Sequence, residues 1–239
     1  MKRVIIPELL DTDSGTPQEI ADTLLDLRGI NQKFGGITTT KSMVEHVSQE
    51  TGIRSFTVLE VAAGGGYVPE AVRRQMMKRG IQMHVTLLDR AHSHLPSKMQ
   101  NNSNGDNGQP PNSNVVGDAL ALPFRDESFD LIGCGLFAHH LSCEELISFV
   151  NEGLRVCRVA VLINDVVRSP LHLGLVYAAS PLFRSRMTRH DAVASVRMAY
   201  TPEEMAELLE RTSAAVIKVR QHYLFRMGVI AWKSKLPGR

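Results

Sequence analysis

The chain has 239 residues, of which 43% are hydrophobic and 22% are charged, as expected of an ordinary soluble globular protein. The formal net charge of +2 gives no strong case for binding nucleic acid or an anionic membrane, and no long apolar run predicts a membrane span. The three cysteines, Cys134, Cys143 and Cys157, lack metal-ligand spacing, so we expect reduced thiols in a cytoplasmic protein.

Two helices are predicted before the first strand. Thr16-Pro17-Gln18-Glu19 combines an N-cap, a proline in the first turn and an acidic third position, which predicts a helix that ends before Gly35-Gly36. A second helix is expected over residues 41–50. These helices form an N-terminal region, residues 1–55, which would cap the ligand edge of a sheet or pack beside it.

A glycine turn follows the first predicted strand. The segment Val58–Pro69 is typical of an apolar strand, a turn at Gly64-Gly65-Gly66 and the start of a helix that we expect to end near Arg79. A strand that delivers such a turn to a helix N-terminus brings the backbone close to a nucleotide-like ligand. Glu60 is acidic within this apolar strand, which indicates a polar role at the end of the strand.

Acidic residues also follow the next two predicted strands. Asp89 ends the strand that begins at Met83, where a carboxylate can accept hydrogen bonds from both hydroxyls of a ribose. Asp118 follows the third strand, within Gly117–Leu120. Three successive strands that end in carboxylates are more specific than a single glycine turn. Between the second and third strands, the polar segment 97–114 is predicted to be a mobile surface loop.

The second half of the chain continues the alternation of helices and strands. A capping box at Ser142 predicts a helix to about Val156, residues 158–164 form a buried fifth strand, and a cap at Thr201 predicts a helix to Arg211. Residues 214–219 and 223–232 are predicted to be two closing strands, and so short a connection requires them to be antiparallel. The other strands alternate with helices and therefore favour a mostly parallel sheet.

In this ordered set of motifs the chain resembles the class I S-adenosylmethionine-dependent methyltransferases, of the small-molecule type that acts in ubiquinone and menaquinone synthesis. The resemblance covers about residues 57–161 and rests on these segments: Leu59–Gly66, Asp89, Gly117–Phe124, Ser128–Ile132, Phe137–Leu141 and Arg155. One departure is Ala62, which stands where the family usually has its first glycine.

The resemblance implies a single domain with an α/β, Rossmann-like fold. Its sheet would have seven strands, mostly parallel with one antiparallel strand, and helices on both faces. Residues 56–163 would form the cofactor-binding core, residues 164–200 a helical, substrate-covering insertion after the fifth strand, and residues 201–239 the closing helix and strands.

The resemblance also implies S-adenosylmethionine as the cofactor, and it assigns these contact residues: Glu60, Ala62, Gly64, Gly66, Asp89, Arg90, Asp118 and Ala119. The two glycines would let the backbone approach the methionine end, and Glu60 would meet the amino group. Asp89 would hold the ribose, and Asp118 would accept from the adenine amino group. Arg90 and Ala119 would lie against the adenine. No metal is required.

His139 and His140 are the candidate catalytic bases. They follow the fourth strand at its ligand end, and a histidine with a near-neutral pKa suits the deprotonation of a phenol or enol. In the alternative interpretation, one histidine packs under a helix and the other orients a loop. The insertion supplies four candidate substrate-binding residues: Asp165, Arg168, Tyr177 and His190. Most of its arginines could equally form a solvated face.

These features predict methyl transfer to an oxygen or carbon of a small aromatic, quinone-like or polyketide-like acceptor. Oxygen is favoured, because a hydroxyl acceptor has to lose a proton, which a histidine base can accept. A nicotinamide-dependent enzyme is disfavoured, since Pro69 follows the turn where G-x-G-x-x-G requires a third glycine. The motifs of nucleic-acid methyltransferases are absent, but an RNA or protein methyltransferase and a non-catalytic binder of the cofactor stay open as alternatives. We expect no nucleic-acid or membrane partner.

Overall fold

The computed structural model describes residues 1–12, 15–92, 95 and 113–235. Within them the α-helices are α1 (Pro17–Lys33), α2 (Gly36–Thr51), α3 (Tyr67–Met77), α4 (Cys143–Val156), α5 (Pro170–Ala179), α6 (Arg186–Met198) and α7 (Pro202–Leu209). The strands are β1 (Ser55–Val61), β2 (Gln82–Asp89), β3 (Ser113–Val116), β4 (Phe129–Gly135), β5 (Cys157–Val166), β6 (Val216–His222) and β7 (Arg226–Trp232).

The strands form one sheet of seven strands in the order β3-β2-β1-β4-β5-β7-β6. Neighbouring strands from β3 to β5 are parallel, whereas β7 runs antiparallel to both β5 and β6. This confirms the predicted fold class, with its single antiparallel strand. All parallel strands therefore present their carboxyl ends at the same edge of the sheet.

Apolar residues cover both faces of the sheet. Val58 belongs to the core layer that contains Val72 of α3, and its neighbour Leu59 belongs to the layer that contains Phe149 of α4. Successive residues of a strand point to opposite faces, so a strand buried on both sides has a continuous apolar sequence. The acidic Glu60 is the exception in β1. It is the penultimate residue of the strand and therefore lies near the carboxyl edge of the sheet.

Three helix starts agree with the sequence prediction. Thr16, Ser142 and Thr201 each cap a helix and form a capping box with the glutamate three residues later. The second helix begins earlier than predicted, at Gly36 instead of residue 41. Gly35 adopts a left-handed conformation, with φ of 84°, which lets α2 begin directly after α1.

The strand boundaries also required corrections. Residues 223–225 form a turn in which Leu224 and Phe225 have positive φ, so β7 begins only at Arg226. Ser113 and Asn114 belong to β3 and not to the predicted polar loop. The rest of that loop, residues 97–112, lies outside the described residues.

The insertion after β5 is helical, as predicted. It contains α5 and α6, and α6 packs against α1. All three cysteines are free thiols, as expected. Among the described residues, every helix is too short or too polar to cross a membrane.

Candidate active site

A cleft of about 1710 Å³ lies at the carboxyl edge of the sheet. All eight predicted cofactor residues line it, as do His139 and His140. Ordinary small-molecule pockets have volumes of roughly 300–1,000 Å³. The cleft is therefore large enough to hold a second molecule beside a cofactor.

The glycine turn between β1 and α3 depends on left-handed backbone conformations. Gly64 and Gly66 have φ of 49° and 66°, and a Cβ at Gly66 would lie 2.5 Å from Cδ1 of Leu87. A Cβ at Gly64 would meet no atom within 4 Å, so the turn leaves open space for a ligand. Ala62 also has a positive φ, of 52°, which costs an L-residue roughly 1–2 kcal/mol.

Asp89 connects the end of β2 to this turn. Its carboxylate accepts hydrogen bonds from the backbone amides of Gly64, at 2.8 Å, and Ala91, at 3.0 Å. Sequence reasoning assigned Asp89 to the ribose alone and missed this second task. Carboxylate oxygens have two lone pairs each, so these backbone contacts are compatible with ligand binding.

Glu60 is buried, and its carboxylate has no hydrogen-bond donor among the described residues. It lies above Gly133, where a Cβ would approach Oε2 to 2.4 Å. Burial raises the pKa of Glu60 to about 8. A buried carboxylate that lines a cleft without a partner is well suited to receive a cationic group of a ligand.

The adenine-side candidates lie on the outer part of the cleft. Asp118 is exposed, and its Oδ1 accepts the backbone amide of Leu120 at 2.9 Å, which fixes the side chain in a local turn. Arg90 is also exposed, and Ala119 is partly buried against the core. These three residues occupy the same cleft as Glu60 and the glycine turn.

His139 is buried between two carboxylates. Its Nδ1 lies 2.7 Å from Oδ1 of Asp165, and its Nε2 lies 3.3 Å from Oε1 of Glu8. Burial alone would lower the pKa of His139, but the two carboxylates outweigh burial and raise the pKa to about 10. His139 is therefore protonated at neutral pH and has no nitrogen free to accept a proton.

His140 is partly exposed to the cleft. Its Nδ1 lies 2.9 Å from Oδ2 of Asp11, and its Nε2 lies 3.8 Å from Oε2 of Glu8. The possible metal-ligating atoms of Glu8, His139 and His140 all lie within 4.8 Å of one another. The carboxylate–imidazole pairs already give each side chain a partner, and the expectation that no metal is required stays a prediction.

The N-terminal segment, residues 1–12, forms one wall of the cleft. Arg3 anchors it by donating to the backbone carbonyls of Met198, His139 and Leu141 at 2.6, 2.9 and 2.7 Å. The Arg3 guanidinium also lies 4.1 Å from the centre of the Tyr200 ring. Sequence reasoning missed the site residues Glu8 and Asp11, because nothing local to this segment indicates which surface it contacts.

The four predicted substrate residues lie outside the lining of the cleft. Asp165 contacts it indirectly, through His139. Arg168 is buried, donates to the carbonyl of Ala199 at 2.9 Å and pairs with Glu204. Tyr177 is exposed on α5, and His190 pairs with its neighbour Asp191 at 2.8 Å.

Residues 59–162 match the family model of a methyltransferase domain. These residues are therefore a methyltransferase domain of the class I, S-adenosylmethionine-dependent type. S-Adenosylmethionine is therefore the cofactor of this methyltransferase, and the unpartnered Glu60 and the open glycine turn fit its cationic methionine end. No curated protein gives a significant match to the sequence.

Solved structures share the fold of this methyltransferase at low sequence identity. The plantazolicin methyltransferase BamL is 14% identical with a TM-score of 0.63, over 87% of this chain and 90% of that chain. Magnesium protoporphyrin IX methyltransferase from Synechocystis PCC 6803 is 12% identical with a TM-score of 0.57, over 84% of each chain. The CMeT domain of citrinin polyketide synthase is 12% identical with a TM-score of 0.55, over 76% of this chain and 47% of that chain.

Proposed function

We propose that this methyltransferase acts on an oxygen or carbon of a small aromatic, quinone-like or polyketide-like acceptor, with oxygen favoured. The observation that carries the proposal is the group of apolar residues that line the same cleft as the histidine pair. Its walls include Ile6 and Leu10 of the N-terminal segment and Leu24 and Leu27 of α1. Such a pocket suits a compact, largely apolar acceptor better than an RNA strand or a protein side chain.

The cofactor would occupy the half of the cleft formed by β1, β2 and the residues after β3. In this proposal the Glu60 carboxylate pairs with the amino group of the methionine end, and Asp89 accepts from the ribose hydroxyls. Asp118 accepts from the adenine amino group, with Arg90 and Ala119 against the ring. When bound, S-adenosylmethionine supplies an activated methyl group on its sulfonium, so the protein mainly has to align the acceptor.

His140 is the proposed base for a hydroxyl acceptor. Asp11 at Nδ1 favours the tautomer in which Nε2 is free to accept a proton. Glu8, 3.8 Å from Nε2, would then stabilise the imidazolium that forms. His139 and Asp165 act in this proposal as positioning residues, since both are buried and hold Glu8 and the short 3₁₀ helix Ala138–His140 in place. Arg168, Tyr177 and His190 are left out of it.

Cofactor binding and acceptor choice can be tested separately. Calorimetric titration with S-adenosylmethionine and S-adenosylhomocysteine would compare the wild type with Glu60→Gln and with the control Glu207→Gln on the exposed side of α7. We expect a loss of affinity in Glu60→Gln alone. Transfer of labelled methyl groups would then be measured on phenolic, quinone-like and polyketide-like compounds, beside RNA and protein pools. Labelling of RNA or protein without any small product would overturn the proposal.

A further inference from the structure

Helix α5 is apolar, yet none of its residues is fully buried. Leu171, Leu175 and, in the 3₁₀ turn that continues the helix, Leu182 are 64%, 48% and 83% exposed. Their spacing of four and seven residues places them on one side of the helix. An apolar stripe of this kind usually marks a surface that contacts something other than water.

Basic residues follow this stripe directly. The stretch from Val166 to His190 contains no aspartate or glutamate, and its arginines are Arg168, Arg184, Arg186 and Arg189. The last three are exposed. Arg186 pairs with Glu19 at 2.5 Å, whereas the guanidinium of Arg184 has no acidic partner among the described residues. The small net charge of the whole chain therefore conceals a local basic region beside an apolar one.

We propose that Leu171, Leu175 and Leu182, together with Arg184 and Arg189, form a docking face for the surface of an anionic lipid bilayer. The leucines would enter the boundary between headgroups and acyl chains, and the arginines would meet lipid phosphates. A second copy of this chain fits the face less well. A twofold contact places the same patch against itself, and the stretch from Val166 to His190 offers no carboxylate to pair with the arginines of the other copy.

The docking face adjoins the mouth of the cleft. Leu25 of α1 lines the cleft and is also exposed. Its neighbour Asp26 accepts hydrogen bonds from the backbone amides of Arg184, at 2.8 Å, and Ser185, at 3.2 Å. This step rests on the proposed function: a lipophilic acceptor would pass from the bilayer into the cleft without crossing water.

Co-sedimentation with vesicles tests the docking face. Vesicles of phosphatidylcholine would be compared with vesicles of equimolar phosphatidylcholine and phosphatidylglycerol. We expect the wild type to bind the anionic vesicles and bind pure phosphatidylcholine weakly. Two variants test the two halves of the face: a triple variant with Leu171→Ser, Leu175→Ser and Leu182→Ser, and a double variant with Arg184→Gln and Arg189→Gln. Each should reduce the affinity for anionic vesicles by at least about ten-fold.

Control variants remove an exposed apolar side chain or two exposed positive charges from surfaces outside the docking face. Val116→Ser changes an exposed apolar residue on β3, the edge strand at the other side of the sheet. Lys78→Gln with Arg125→Gln removes two exposed charges from other surfaces. Both should bind anionic vesicles like the wild type. Circular dichroism and calorimetric cofactor binding would show that every variant is folded, and would report separately on the proposed function.

Three outcomes would overturn the proposal. The wild type could fail to bind anionic vesicles, or the serine variant could bind them as well as the wild type does. Light scattering could instead show a dimer that the serine substitutions convert to monomers, with no vesicle binding by either form. That result would assign the face to a second copy of the chain.

Discussion

The carboxylate of Asp89 accepts a hydrogen bond from the backbone amide of Gly64 at 2.8 Å. Through this contact the end of β2 holds the glycine turn that follows β1. Asp89 therefore shapes the cofactor site before any ligand binds. A substitution at this position tests the turn and the proposed ribose contact together.

Asp89→Ala should lower the free energy of unfolding by about 1–3 kcal/mol, because it leaves two partly buried backbone amides without an acceptor. It should also abolish measurable S-adenosylmethionine binding. Asp89→Asn retains one acceptor oxygen and should recover part of the stability, but less of the affinity. Urea unfolding and calorimetry measure the two effects. Unchanged stability in Asp89→Ala would contradict the structural task assigned to this residue.

Glu60 should make the stability depend on pH. Burial raises its pKa from 4.5 to about 8, so between these values the folded state holds a proton that the unfolded state releases. The contribution of Glu60 to the free energy of unfolding is fully present below about pH 4.5 and is lost as the pH rises to about 8. Urea unfolding across this range should show a weaker decline in Glu60→Gln than in the wild type. Equal slopes in both proteins would rule out the raised pKa.

Ala62→Gly should stabilise the protein by about 1 kcal/mol, because the left-handed conformation at φ of 52° strains an alanine and suits a glycine. The neighbouring Ala63 lies outside the set of residues with positive φ and provides the control. Ala63→Gly should be destabilising by roughly 0.5–1 kcal/mol. Thermal unfolding of both variants measures the difference, and a destabilised Ala62→Gly would argue against the strained turn.

Substitution of His140 should affect catalysis, whereas substitution of His139 should affect stability. His140→Gln should lower kcat by about 10²–10⁴-fold on a hydroxyl acceptor, through loss of the base, and leave cofactor affinity unchanged. The loss should shrink as the pH rises and the acceptor ionises by itself. His139→Gln should mainly destabilise the fold, by about 3–5 kcal/mol, because Asp165 loses its buried partner. A normal kcat in a folded His140→Gln enzyme would remove His140 from the chemistry.

Arg3→Gln should loosen the N-terminal segment without unfolding the core. The arginine contacts three backbone carbonyls and the Tyr200 ring, and its loss weakens the main anchor of residues 1–12. Amide hydrogen exchange should accelerate at Val4, Leu9 and Leu10, whose amides bond to Arg197 and Asp191. Exchange in β1 and β4 should stay as in the wild type and serves as the internal reference.

Local features of the fold could be predicted from the sequence, and distant contacts could not. The caps at Thr16, Ser142 and Thr201 depend on residues three positions apart, and such patterns are visible in the chain itself. The contact of Glu8 with His139 spans 131 residues and exists only because the N-terminal segment packs against the insertion. Polarity suggested ligand contacts for Arg168, whereas its environment makes it a buried link between β5 and α7.

The placement of β7 between β5 and β6 constrains the order in which the chain can assemble. During synthesis β6 emerges before β7, but among the described strands it pairs with β7 alone. Until residues 226–232 are available, β5 is an open edge beside an otherwise complete cofactor core. We therefore expect the β6–β7 hairpin to dock late and as a unit, so the last step of folding closes the sheet on the side away from the cofactor.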